Sequence, residues 1–209
     1  MKWPGIFLCV LSLLATRDAQ TSIIEDLARN AEILSAKISP QGDYLGVLRI
    51  ADDKRSLVIF SFPGMKFSSQ LSFPDRDEVG NFWWVNDERI VASVIQQSAY
   101  LEGGRSTGEL FGMNADGKKK QYLFGYRAGI NNRSSRIREK IETEYASATI
   151  MDRLPAHPNE MLVGIRQWTS GFSSHVESDW LDVYSGRRSN KVLAATPNAQ
   201  LVADKDGEI

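Results

Sequence analysis

The sequence predicts an all-β chain, an incomplete β-propeller of about three four-stranded blades led by a signal segment and one short helix. Three observations predict it. From residue 36 onward, short runs rich in β-branched and aromatic residues alternate with turns built from Pro, Gly, Asn and Asp. The order strand–turn–strand then recurs as a set of four. The recurrence has a period near fifty: counted from the first apolar residue after each first turn, Tyr44 to Ile90 is 46 residues, Ile90 to Met161 is 71, and Met161 to Ile209 is 48. The long interval contains Arg127 to Glu144, a charged stretch without strand periodicity, and removing its 18 residues leaves 53. Such a period marks a propeller, because one four-stranded unit cannot bury its faces alone and must stack on its neighbours.

The elements follow in order. Residues 1–19 read as a signal peptide: Lys2 gives a positive start, Ile6 to Leu14 form an apolar run broken by Ser12, and Ala15 or Ala19 offers a small residue for cleavage. The run is too short to span a hydrocarbon core of ~30 Å. Residues 20–32 form a short helical lead-in. There Thr21 and Ser22 cap a helix over Ile23 to Ala31, with acidic residues in its first turns and Ile24, Leu27, Ala28 and Ala31 at helical spacing.

The propeller portion is expected over 33–209. Its first blade, about 33–75, takes strands at Ala36–Ser39, Tyr44–Leu48, Leu57–Phe62 and Gln70–Phe73, with the turn Pro40-Gln41-Gly42-Asp43 between the first two. The second, about 76–126, takes Gly80–Val85, Ile90–Ile95, Glu109–Asn114 and Lys120–Phe124, turning at Asn86–Arg89 and Ala115–Gly117. The third, about 145–195, takes Ala148–Met151, Met161–Ile165, Trp180–Tyr184 and Lys191–Ala194. A fourth begins over 199–209, with a strand at Ala199–Ala203 and a turn at Asp204–Gly207.

Composition narrows the function classes. The 209 residues are 42% hydrophobic and 24% charged, so the chain is globular in character. A net charge of −1 offers no basic field for a phosphate backbone, and no nucleic-acid partner is expected. The single cysteine, Cys9, lies in the leader, so no disulfide and no thiolate zinc site is expected after cleavage. With His157 and His175 the only histidines, no metal and no cofactor is expected.

Several motifs together resemble the N-terminal propeller of prolyl-oligopeptidase-type (family S9) serine peptidases. The string Lys37-Ile38-Ser39-Pro40-Gln41-Gly42-Asp43-Tyr44-Leu45 is similar to the "SPDG" motif shared by such propellers and by TolB. Asp26 to Glu32, the run Trp83 to Val91, the run Leu110 to Gly117, and Leu154-Pro155 ahead of His157-Pro158-Asn159 extend the likeness to about residues 23–209. The resemblance implies a propeller that gates short peptides to a C-terminal α/β-hydrolase domain bearing a Ser-Asp-His triad. That domain would lie beyond residue 209. The alternative is a TolB-like periplasmic propeller acting as a protein-binding scaffold. Either way the expected location is secreted or periplasmic, with no membrane attachment after signal cleavage.

No catalytic residue is expected in the chain itself. Gly104-Arg105-Ser106-Thr107-Gly108 matches G-x-S-x-G, but a nucleophile elbow needs a strand before Ser106 and a helix after it. Here Leu110–Asn114 follows as a strand, and no histidine follows Asp179, so order is rescued only with Asp152 and His157 or His175. The segment reads as a Gly-rich loop. His157 reads as a solvated turn residue and His175 as an exposed loop residue. Trp83, Trp84, Trp168 and Trp180 read as packing between sheets. Arg133, Arg136, Arg138 and Lys140 are offset by Glu139, Glu142 and Glu144 and read as a solvated inter-blade loop. Asn132-Arg133-Ser134 is a formal glycosylation sequon.

Overall fold

The computed structural model describes residues 32–98, 101–131, 143–168, 175–197, 199–204 and 206–209. The signal segment, the lead-in helix over 23–31, the basic residues 133–140 and the sequon at Asn132 lie outside the described residues. No helix among those described is long and apolar enough to cross a membrane.

The architecture is all-β, with three antiparallel four-stranded sheets in consecutive order. The first holds β1 (Ile33–Ile38), β2 (Tyr44–Ala51), β3 (Lys54–Ser61) and β4 (Lys66–Leu71). The second holds β5 (Asp77–Trp84), β6 (Arg89–Ser98), β7 (Leu101–Asn114) and β8 (Gln121–Phe124). A six-residue helix, α1 (Tyr126–Asn131), follows, and then the third sheet of β9 (Ala146–Asp152), β10 (Glu160–Gln167), β11 (Glu177–Asp182) and β12 (Arg188–Leu193). These are the blades of an incomplete propeller.

The turns form for local reasons. At Pro40–Asp43, the Gly42 amide donates to the Ser39 carbonyl at 3.0 Å, the Tyr44 amide donates to Ser39 Oγ at 3.1 Å, and Gly42 takes a φ of 91°, which a side chain would resist. In the second sheet the Asn86 side chain accepts from the amides of Glu88 and Arg89 at 3.0 and 2.8 Å. In the third, Asp152 Oδ1 accepts from the Leu154 amide at 2.6 Å.

Two apolar layers hold the sheets face to face. Leu57, Ile59, Leu71, Phe82, Ile90, Ala92 and Met113 fill the layer between the first and second sheets. Val91, Leu110, Leu123, Met161, Val163, Ile165 and Leu181 fill the layer between the second and third. Strand β6 serves both. Its side chains alternate, so Ile90, Ala92 and Val94 enter the first layer while Val91 enters the second. This is why its sequence from Ile90 to Ile95 is apolar but for Ser93. Each buried Val, Ile or Leu contributes ~1.5–3 kcal/mol. Gly46 lets the first two sheets approach closely, since a Cβ there would meet Phe82 Cε2 at 2.7 Å.

Four expectations need correction. The stretch from Arg127 on is not wholly irregular, because α1 opens within it, anchored by Arg127. The Gly104–Gly108 segment is not a loop: it lies inside the fourteen-residue strand β7, where positive φ at Gly104 and Gly108 and register shifts against β6 absorb the extra residues. The third strand of the last sheet starts earlier than Trp180, at Glu177, and Val183 and Tyr184 belong to its turn. Ala199–Ala203 carries no strand pairing, although the Asp204 turn closes, with its amide donating to the Glu208 carbonyl at 2.8 Å.

Candidate peptide-docking cleft

Every sheet has one end where its first strand enters and its second and third strands are joined. At that end, between the second and third sheets, lies an open cleft of about 740 Å³ lined by Gln96, Arg105, Ser106, Glu109, Tyr145 and Trp168 among others.

Three aromatic rings line it. Tyr126, Tyr145 and Trp168 are 40%, 55% and 50% exposed. Their centroids lie 5.4 Å apart for Tyr126–Tyr145 and 6.3 Å for Tyr145–Trp168, so they form a continuous ladder. Local structure fixes each ring. Tyr126 starts α1 straight after Gly125, whose φ of 102° bends the chain back over Glu109. Tyr145 and Trp168 flank β9 and β10, and the Trp168 amide donates to the Tyr145 carbonyl at 2.9 Å. The Trp168 indole Nε1 donates to Ser147 Oγ at 2.7 Å, which fixes the ring plane.

A charged clamp supports the floor. Arg127 donates through Nε to both oxygens of Glu109 at 3.0 and 2.8 Å, and it also pairs with Asp77. The Arg127 amide adds a bond to Glu109 Oε1 at 2.9 Å. Burial works against the Arg127 charge, yet the bonds to Glu109 and Asp77 outweigh it and raise its pKa. The guanidinium also lies over the Tyr122 ring, 4.8 Å from its centroid. Burial pushes the Tyr122 hydroxyl up to about 12. Arg127 is thus committed to structure.

Arg105 differs. Its side chain is exposed on the cleft wall, and among the described residues the guanidinium has no hydrogen-bond or ion-pair partner.

The residues singled out from sequence fall in different places. Ser106 is exposed in the cleft, and its Oγ accepts from the Gly108 amide at 3.2 Å. His157, Asp152 and the turn between β9 and β10 sit at the opposite end of the third sheet, so the Ser106–Asp152–His157 order is not assembled. His157 is not simply solvated: its ring packs edge-on against Trp180 at 4.5 Å, and Nδ1 lies 3.7 Å from Glu160. His175 is half-buried and bonds through Nδ1 to the Ala194 carbonyl at 2.7 Å. Trp84 is buried and Trp83 and Trp180 are half-buried, but Trp168 is a cleft residue rather than core. No group of three or more His, Cys, Asp or Glu side chains suited to a metal ion occurs among the described residues.

A second cleft, about 650 Å³, lies at the other end, lined by Pro40, Trp84, Asn86, Arg153, Pro158 and Tyr184 among others. Its polar groups hold the sheets to each other. Asn86 Nδ2 donates to the Pro158 carbonyl at 2.6 Å, and the Tyr184 hydroxyl donates to Glu88 at 3.0 Å. Beside it the fully buried Arg89 donates to the carbonyls of Val183 and Lys119 and to Asn114 at 2.8–3.0 Å. Burial lowers the Arg89 pKa to about 10 against the pull of nearby Tyr184 and Asp182.

Sequence reasoning missed Tyr126, Tyr145, Arg105 and the Arg127 clamp. The tyrosines border a charged stretch without periodicity, and Arg105 was hidden in a glycine-flanked motif.

No family model and no curated protein matches the sequence. Among solved structures, the chain is similar to a conserved lipoprotein from Clostridium novyi NT, with a TM-score of 0.46 at 11% identity over 74% of this chain and 89% of that one. It is similar to the AtxE2 isopeptidase in its apo form, with a TM-score of 0.34 at 11% identity over 78% of this chain. It spans 33% of the isopeptidase chain. A functionally unknown protein from Desulfotomaculum acetoxidans gives a TM-score of 0.28 at 13% identity, over 86% of this chain and 60% of that one.

Proposed function

We propose that these blades are the peptide-gating propeller portion of a secreted or periplasmic serine peptidase of the prolyl-oligopeptidase type. The nucleophile and its base would belong to a hydrolase domain outside this sequence. This chain would dock and screen short peptides and cleave none itself. The motifs from Lys37 to Leu45 and from Trp83 to Val91 support the family, and the leader supports export.

The observation that carries the docking role is the open aromatic cleft. Three half-exposed rings in register are costly to leave in water and serve to pack the apolar side chains of a peptide. Ser106 lies there without a histidine, and nucleophilic attack needs an oriented base.

The test is to read the genomic frame past the codon for Ile209. A continuation through further blades into a strand–elbow–helix serine, with a later Asp and His, supports the peptidase. In that parent enzyme Trp168→Ala should raise KM for short peptides several-fold with kcat little changed. A stop codon directly after Ile209, or further blades followed by a stop, overturns the peptidase reading in favour of a binding scaffold.

A further inference from the structure

The cleft has a second feature besides its rings. Strand β7 is fourteen residues long, but β8 pairs with it only over Leu110–Gly112. Toward its start β7 is hydrogen-bonded to β6 alone, from Ser106 opposite Ile95 to Leu101 opposite Ser98. Among the described residues no strand is hydrogen-bonded to its other edge before Gly108, where β9 comes up against β7 and a Cβ would run into Ser147 Cα. In an antiparallel ladder every second residue turns its N–H and C=O away from its partner. That edge of β7 therefore carries backbone groups with no strand partner among the described residues, and Arg105, Ser106 and Thr107 on it line the cleft. Exposed edges of this kind are ordinarily blunted by charge or by covering, because they recruit extended chains.

Here the features converge. The free edge runs through Arg105 to Thr107, and the same cleft holds Tyr126, Tyr145 and Trp168. Arg105 is the charged group on this wall without a partner, whereas Arg127 is consumed by Glu109 and Asp77. The Ser106 and Thr107 hydroxyls accept from the amides of Gly108 and Glu109 at 3.2 and 3.3 Å, and Thr107 Oγ1 also donates to the Val94 carbonyl at 3.0 Å; none of these bonds reaches the backbone of Arg105–Thr107.

We infer that β7 accepts an extended peptide as an added strand at Arg105–Thr107, with the peptide's apolar side chains laid across Tyr126, Tyr145 and Trp168 and a carboxylate of the peptide paired to Arg105. Main-chain bonds supply sequence-tolerant affinity, and the rings and the guanidinium supply selection. Apolar side chains alternate along a strand, which matches a one-sided aromatic wall. A neutral saccharide would use the rings but not the edge or the cation. The inference rests on the peptide-docking half of the function proposed above and not on the peptidase half.

The probe is a fluorescein-labelled heptapeptide of alternating valine and serine with a free C-terminal carboxylate, titrated by anisotropy against the full chain. Binding should weaken at least tenfold when alternate amides are N-methylated in one register, and little in the other, because only one set of amides faces β7. Amidating the peptide C-terminus should cost about tenfold, the equivalent of one charge-assisted hydrogen bond. Arg105→Gln should reproduce that loss for the free acid and leave the amidated peptide unchanged. Trp168→Ala should weaken both forms alike. Lys118→Ala, in the turn at the far end of the second sheet, should change neither. Each variant is compared at equal thermal stability with the parent.

Equal binding by both N-methylated registers overturns the added strand. Indifference to Arg105→Gln overturns the carboxylate contact. Binding of a uronic-acid oligosaccharide with no binding of the peptide overturns the inference as a whole. Peptide binding in a protein whose frame encodes no hydrolase would leave this inference standing while the peptidase reading fell. A frame that encodes the hydrolase, with no peptide bound at β7, would do the reverse.

Discussion

The second and third sheets carry the same device in different states of completion. In each, an acidic residue at or just before the first strand and another on the third strand grip an arginine that follows them in the chain, on the last strand or just beyond it. In the second sheet these are Asp77, Glu109 and Arg127. In the third they are Glu144, Glu177 and Arg188. Each guanidinium also covers an aromatic ring of the second sheet, Tyr122 at 4.8 Å for Arg127 and Phe124 at 5.7 Å for Arg188. The third sheet then departs from the pattern. It adds Asp179, 2% exposed and 2.9 Å from Arg188, whose Oδ1 has no partner, and it adds Lys191 on Glu177. Two carboxylates per arginine can be fully bonded. A third asks one guanidinium to serve three directions and leaves a buried oxygen bare. The repeat therefore specifies a clamp, and the local addition decides how well it is satisfied.

The largest break should come from Arg127→Met. It strands Asp77 and Glu109, both nearly buried, without a cation, and it removes the amide-side anchor of α1 only in part because the backbone bond remains. Breaking a buried pair in this way costs ~3–5 kcal/mol. Urea denaturation followed by tryptophan fluorescence measures it. Arg188→Met should cost less, ~2–3 kcal/mol, since Lys191 still faces Glu177 and Asp179 can take up a proton. Equal losses in the two variants would show that the clamps are equivalent and that Asp179 and Lys191 add nothing.

How legible this was in the sequence depends on range. The turn at Pro40–Asp43 and the run Ile90 to Ile95 are set by neighbouring residues, through a positive φ at Gly42 and alternation along β6, and both were readable. The clamps were not, because Asp77 and Arg127 stand 50 residues apart and meet only when the sheet has formed. Helix α1 has six residues, too few to show a helical period. Gly104 and Gly108 read as strand breakers, and only the register against β6 reveals them as irregularities inside β7. Trp168 and Trp180 both sit on or beside strands of the third sheet, and whether each meets a neighbouring sheet or the cleft is a matter of tertiary placement.

Asp179→Asn sharpens the comparison in the stabilising direction. Burial pushes the Asp179 carboxyl up to about 6, against the pull of Arg188, and Glu177 pushes it further the same way. A carboxyl whose folded pKa exceeds its unfolded value binds more protons in the folded state between those values. Stability then falls as pH rises from about 4 through about 6, and the cost stays in full above that. The groups facing Asp179 are Glu177, Arg188 and Lys191. Asn keeps the shape without the charge. It should gain ~1–2 kcal/mol at pH 7, reduced from the buried limit because water reaches the rim of the cluster, and should flatten the slope between pH 4 and 6. Thermal melts across that range measure both, and an unchanged slope would show that another group carries it.

The smallest effect should come from Lys191→Gln, and it separates the added cation from the added carboxylate. Lys191 is 61% exposed, so its pair with Glu177 is an open one, worth under ~1 kcal/mol at pH 7. Its influence is also indirect, since it is one of the charges that hold the Asp179 pKa down. Removing it should move the stability midpoint of Asp179 to higher pH as well as lowering stability slightly. If that indirect route is real, the loss caused by Lys191→Gln should shrink when Asp179→Asn is already present, because the charge it answers is gone. If the two changes simply add, Lys191 acts on Glu177 alone, and the third sheet's clamp is the second sheet's clamp with one badly satisfied carboxylate beside it.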